Sequence, residues 1–152
     1  MAQPTLYLML GYPGAGKTTT AEIIAKLTGA VHLASDRLRL ELFPNPQFTE
    51  AEHETVYKVL NQRTNRLLSK GQSVIYDANL NRYAYRAEKY NICRGTGSRP
   101  VLIWVRVDRA LAKQRAMDND DVHRRPYIRN DETLSESPRR SSRHVLARWL
   151  LN

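Results

Sequence analysis

Between an apolar run, Thr5–Leu10 (TLYLML), and a stretch with helical spacing lies GYPGAGKTTT, Gly11 to Thr20. Glycines at 11, 14 and 16 let the backbone take conformations a side chain would forbid, so successive N–H groups can turn inward around an anion. The N-terminus of the helix that follows adds its partial positive charge at the same place. The spacing Gly11-x-x-x-x-Gly16-Lys17-Thr18 matches G-x-x-x-x-G-K-[ST], in the context that pattern requires: a buried strand before it and an amphipathic helix after it. Gly11, Pro13, Gly14, Ala15, Gly16, Lys17, Thr18 and Thr19 are therefore expected to cradle nucleotide phosphates. Lys17 would reach the β- and γ-phosphates, and the Thr18 hydroxyl would bind Mg²⁺. A glycine-rich turn beside a chance lysine is the bland alternative, and the flanking elements argue against it.

The remainder alternates strand and helix signals. Strands are expected at Thr5–Leu10, Val31–Ala34, Ser73–Tyr76 and Val101–Val107. Helices are expected at Lys17–Leu27, Leu38–Phe43, Glu50–Lys70, Arg82–Arg94 and Asp108–Met117, with Thr49 and Glu52 as a capping box for the third. Such alternation indicates an α/β domain with a largely parallel sheet and helices on both faces. A chain of 152 residues suits one such domain spanning 1–152. After Asp118 the chain turns polar, charged and proline-interrupted, which reads as a lid over about 118–130 and a basic segment over about 135–152.

Composition narrows the partners. With 24 Lys and Arg against 15 Asp and Glu the net charge is +9, which suits nucleotides, phosphorylated metabolites or nucleic acid without choosing among them. Cys93 is the single cysteine, so no intrachain disulfide forms, a cytoplasmic setting is expected, and a small buried helix residue is its plainest role. The N-terminal stretch has no basic region and no long apolar core, and reads as neither a signal peptide nor a membrane anchor.

In open α/β sheets the ligands lie at the carboxyl ends of the strands, so the polar residues there are candidates. Asp36 follows the second strand in SDRLR, three residues before Arg39, and one helical face could present both to an acceptor. Asp36 would take or orient an acceptor hydroxyl proton and Arg39 would hold an anionic part of that acceptor. A helix N-cap is the structural reading of Asp36. Asp77 ends the third strand in VIYD, where it could hold Mg²⁺ directly or through water, pair with Arg39, or simply open a turn before Asn79. Arg115, Arg124 and Arg125 lie at and beyond the last helix, placed to neutralise charge on a transferring phosphoryl group or to form a solvated basic loop. His123 has no second ligand at metal spacing and reads as a surface or phosphate-contacting residue.

Together, GYPGAGKTTTA, SDRLR as a D-x-x-R element, VIYDANLNRYAYR and the arginine-bearing segment resemble the small P-loop kinases of the AAA-type group, related to polynucleotide 5′-kinase and zeta-toxin kinases. The resemblance covers roughly residues 5–130. It implies a three-layer fold with sheet order 2-3-1-4, a lid after the fourth strand, and ATP with Mg²⁺ as cofactors. It also implies Asp36 as general base, Arg39 as acceptor clamp, Asp77 and Asn79 as the acceptor side, Thr18 and Asp77 toward the metal, and Arg125 with Arg124 on the lid. Relatives continue into a fifth strand, and RRSSRHVLARWLLN does not read as one, leaving open a four-stranded sheet or a truncated or rearranged end.

The expected activity is transfer of the γ-phosphoryl of ATP to a hydroxyl on a small molecule or on an RNA or DNA 5′ end. The alternative is an ATP-binding, slowly hydrolysing switch or nucleic-acid-binding module, which has no need of an Asp36/Arg39 pair. Stacking on Tyr83, Tyr85 or Tyr90 would favour a polynucleotide, although packing is the simpler role for each.

Overall fold

The computed structural model describes residues 2–118. The segments read above as lid and basic C-terminus, with His123, Arg124 and Arg125, lie outside the described residues, as does the question of a fifth strand.

The apolar run after Pro4 forms β1 (Thr5–Leu10), and the glycine loop leads into α1 (Lys17–Thr28), which Gly29 ends at φ 70° by donating its N–H to the Ala25 carbonyl. Then come β2 (Val31–Ala34), α2 (Ser35–Leu42), α3 (Glu50–Ser69), β3 (Val74–Asp77), α4 (Tyr83–Thr96), β4 (Arg99–Trp104) and α5 (Arg109–Asp118). All three strand pairings are parallel, in the order β2-β3-β1-β4. The chain leaves β1 for one side of the sheet and returns to its other side at β4, so the switch point lies beside β1 at the carboxyl edge.

Alternation along the strands sorts the core into two faces. Leu6, Leu8 and Leu10 of β1, Val74 and Tyr76 of β3 and Leu102 of β4 pack with Val56, Leu60 and Leu68 of α3, Leu38 of α2 and Cys93 of α4. Met9, Ile75, Ile103 and Val105 pack on the opposite face against Ala21, with Ile24 and Ala25 beside it on α1. Ile23 and Leu27, at helical spacing for the same stripe, are exposed instead, because Ala21, Ile24 and Ala25 are the positions α1 turns to the sheet. Cys93 is buried, and burial pushes its thiol up to about 11. No helix of the described residues is long and apolar enough to cross a membrane.

Most boundaries fall within two residues of expectation, and two elements, β4 and α2, differ by three at one end. β4 runs Arg99–Trp104 rather than Val101–Val107, because its ladder ends where β1 ends, at Leu10 opposite Trp104. Val105 and Val107 remain apolar because they still pack on the core beyond the ladder. The helix expected at Leu38–Phe43 begins at Ser35, with extended Ala34 as its N-cap and no side-chain cap. Asp36 is thus in the first turn, next to the positive helix end, and is not the cap.

Candidate active site

The loop from Gly11 to Gly16 wraps the carboxyl end of β1. Gly11 tolerates no side chain, since a Cβ there would sit 2.7 Å from the Val105 carbonyl oxygen. Gly16 caps α1 in the left-handed region at φ 96°, which frees its neighbours' N–H groups to face the loop centre. Within the loop the Ala15 N–H donates to the Tyr12 carbonyl at 3.0 Å. Lys17 folds back over it, its Nζ donating to Gly11 O at 3.1 Å and Tyr12 O at 3.5 Å. Pro13 and Gly14 are half-buried, Ala15 is buried, and Thr19 faces solvent on the first turn of α1.

Thr18, also in that turn, donates its hydroxyl to Asp77 Oδ2 at 2.8 Å, although 59 residues separate them. The fold explains the meeting: Asp77 shares with Ile75 the face of the sheet on which α1 packs, and α1 begins where β1 and β3 end side by side. The same Oδ2 accepts from His32 Nε2 at 2.9 Å, and the two side chains are 7% and 6% exposed. Burial alone would raise the Asp77 carboxyl, but the hydrogen bonds from His32 and Thr18 and the nearby Lys17 charge outweigh it and hold the group below its ordinary value. The site therefore keeps a carboxylate and a hydroxyl oxygen together. Hard oxygen donors of this kind fit Mg²⁺, which uses few protein ligands when a nucleotide supplies the rest.

His32 was not among the residues expected from sequence. The signal is positional: His32 lies two residues before Ala34, which pairs with Asp77, so its side chain is the diagonal neighbour of that carboxylate on one face. A polar residue inside a four-residue strand invites that check.

The Asp36/Arg39 pair does not share an exposed face. Asp36 is exposed, whereas Arg39 is 3% exposed, with its guanidinium 3.5 Å from Glu52 Oε2 and 5.0 Å from the centre of the Phe48 ring. Nor does Arg39 pair with Asp77, whose carboxylate bonds go to Thr18 and His32. Glu52 anchors this corner: it accepts from the backbone N–H of Gln47 at 2.9 Å and of Phe48 at 2.8 Å, and donates its own N–H to the Thr49 hydroxyl at 3.2 Å. Those bonds hold Phe48 at φ 55°, a costly region for a non-glycine residue, with its ring against Arg39. Arg37 pairs with Glu22 on the surface.

After Asp77 the chain makes a tight connection to α4. The Asn79 N–H donates to the Tyr57 hydroxyl at 3.0 Å, and the Asn79 side-chain oxygen accepts from the Asn81 N–H at 3.2 Å. Buried Arg86 donates Nη1 to the carbonyls of Leu80 and Asn81, at 2.8 and 2.9 Å. The turn carrying Asn79 is thus tied to α3 and α4 at once. Tyr83, at the start of α4, is exposed, while Tyr85 and Tyr90 lie against the core. Arg115 is exposed on α5.

A family model described as an AAA domain matches residues 6–141. The chain belongs to the AAA domain family. No curated protein sequence matches this AAA domain. Among solved structures, it resembles the APS kinase CysC of Mycobacterium tuberculosis in complex with AMPPNP and APS, at TM-score 0.70 and 17% identity, covering 96% of this chain and 90% of that one. It also resembles a gluconokinase from Sinorhizobium meliloti 1021, at TM-score 0.66 and 18% identity, covering 97% and 84%. A chain of the Pnkp1/Rnl/Hen1 RNA repair complex matches at TM-score 0.62 and 15% identity, over 84% of this chain and 46% of that one. At these identities the likeness is one of fold, and the fold is that of the P-loop NTPases.

Proposed function

We propose that this AAA domain is a phosphotransferase that moves the γ-phosphoryl group of ATP to a hydroxyl group. The observation that carries the reading is the 2.8 Å contact between Thr18 and Asp77 at the mouth of the glycine loop. A hydroxyl from the first turn after such a loop, donating to a carboxylate at a neighbouring strand end, is the oxygen pair that a nucleotide-bound Mg²⁺ requires.

In this account Gly11, Pro13, Gly14, Ala15, Gly16 and Thr19 offer backbone or side-chain contacts to the phosphates. Lys17 exchanges its two loop carbonyls for β- and γ-phosphate oxygens. Thr18 and Asp77 would hold Mg²⁺, and the ion when bound withdraws charge from the phosphate oxygens. Asp36 receives the proton of the acceptor hydroxyl as its oxygen bonds to phosphorus and the bond to the β-phosphate oxygen breaks, releasing ADP. Buried Arg39 holds the acceptor-side wall through Glu52 and Phe48 and meets the acceptor only if that wall opens on binding. Asn79 shapes the acceptor side from the connection between β3 and α4, and Arg124 and Arg125 are assigned to the charge on the transferring group. The free thiol of Cys93 suits a reducing cytoplasm.

The acceptor classes this reading allows are a polyol or sugar acid, a phosphorylated nucleotide and a nucleic-acid 5′ end; the structural relatives are a gluconokinase, an APS kinase and a chain of an RNA repair complex. Acceptor-stimulated ADP release distinguishes among them. With Mg²⁺ and ATP, one of these classes should raise ADP formation well above the rate with water alone. Equal slow hydrolysis with every acceptor would leave the switch reading in its place.

A further inference from the structure

We propose that His32 is the positioning residue of the cation site: it fixes which oxygen of Asp77 is engaged by the protein and which one is left to face the ligand. The inference rests on reading the glycine loop and Thr18 as a nucleotide site, and adds a residue that no motif of that loop contains.

Both hydrogen bonds to the Asp77 carboxylate among the described residues end on one atom. Thr18 Oγ1 donates to Oδ2 at 2.8 Å and His32 Nε2 meets the same Oδ2 at 2.9 Å. Oδ1 is thereby left for water or a cation. A carboxylate only accepts, so in the 2.9 Å contact the ring nitrogen facing Oδ2 is the one that donates. Thr18, spending its hydroxyl proton on Oδ2, keeps the oxygen lone pairs available to a metal.

Without His32 the carboxylate would have one fixed donor, Thr18, and could rotate about its terminal torsion, which is a soft, broad one. With both donors present the plane of the carboxylate is set by two elements, α1 and β2. The imidazole is well suited to this, since it sits on a strand between paired neighbours and is 7% exposed. Outer partners that hold a ligating group in this way typically change metal affinity by roughly 10- to 100-fold when removed. A histidine that merely filled space beside β3 would leave metal dependence unaltered.

The test is calorimetric titration of ATP binding at rising Mg²⁺, for wild type, His32→Phe and His32→Gln. Phenylalanine keeps the ring and removes the donor, and glutamine can return an N–H at a similar reach. The expected result is a His32→Phe half-saturating Mg²⁺ raised roughly 10-fold or more, with metal-free ATP affinity within about twofold of wild type and most of the loss recovered in His32→Gln. An unchanged Mg²⁺ dependence in His32→Phe overturns the proposal. Should that variant fail to fold, the wild-type Nε2–H resonance of His32 decides: it should move when Mg²⁺ is added to the ATP complex, and a fixed resonance overturns the proposal. Wild type that binds no ATP at all removes the function proposed above together with this inference, whereas wild type with normal Mg²⁺·ATP binding and an indifferent His32 removes this inference alone.

Discussion

Asp77 is a carboxylate kept charged in a place that disfavours charge. Its folded pKa lies below the ordinary 3.8, so by linkage the stability it contributes is present above 3.8 and is lost as pH falls through the folded value. The melting temperature of wild type should therefore approach that of Asp77→Asn as pH is lowered below 3.8, a comparison made by thermal melts across an acid series. The same substitution should lower phosphoryl transfer by about 10²-fold or more, because it removes charge at the metal side of the reaction. Gly11→Ala should destabilise the fold by roughly 1–3 kcal/mol and abolish ATP binding, since its new methyl meets backbone and not a yielding side chain. Chemical denaturation and a nucleotide-binding titration measure the two effects. The meeting of Gly11, Lys17, Thr18 and Asp77 at one sheet edge was legible in the sequence, because a spacing rule and a strand end mark their places. His32 was not, because a diagonal neighbour across a sheet depends on register. The burial of Arg39 was hidden for a related reason: helical spacing puts Asp36 and Arg39 near one face, but only the seating of α2 on α3 decides which of them that face covers.

At the scale of elements, the interface of α3, β3 and α4 carries a polar network that runs from buried Tyr76 and Lys89 out to Glu88 at the surface. Lys89 is fully buried, pairs with Glu88 at 2.5 Å and lies 5.0 Å from the centre of the Tyr76 ring. The Tyr76 hydroxyl donates to Asn61 at 2.8 Å, and Asn61 donates to Glu88 at 2.9 Å. Burial lowers the Lys89 pKa, against the opposing pull of Glu88. Between the folded pKa and the ordinary 10.5 the unfolded chain holds a proton the folded one has released, so stability rises with pH across that window. Lys89→Met should remove that slope and stay within about 1.5 kcal/mol of wild type at neutral pH, while Lys89→Ala should cost roughly 2–4 kcal/mol through the cavity it leaves. Urea denaturation at several pH values reads both. Element identity was largely legible from periodicity, including Thr49 as the N-cap of α3, although the Glu52 carboxylate turns to the N–H groups of Gln47 and Phe48 and does not close the expected capping box. The limits of β4 were not, because an apolar run records packing, and Val105 and Val107 pack on the core after the ladder has ended.

At the scale of the molecule, the four-stranded parallel sheet of the described residues brings residues from the ends of β1, β2 and β3 to one edge. Sequence alternation made the fold class legible, and the strand order came with the family resemblance. The acceptor was not legible, because the +9 charge suits every anionic partner and no base-reading or sugar-reading motif stands out. In the proposed reaction Asp36 takes the acceptor proton as the phosphoryl group moves. The most direct measurement is transfer of labelled γ-phosphate from ATP to a polyol, a phosphorylated nucleotide and a 5′-hydroxyl oligonucleotide, with wild type and Asp36→Asn side by side and ATP binding measured for both. Wild type should give a labelled product, reduced about 10²-fold or more in Asp36→Asn while ATP binding persists. Label released as inorganic phosphate with every acceptor, at the same rate in both proteins, would contradict that reaction.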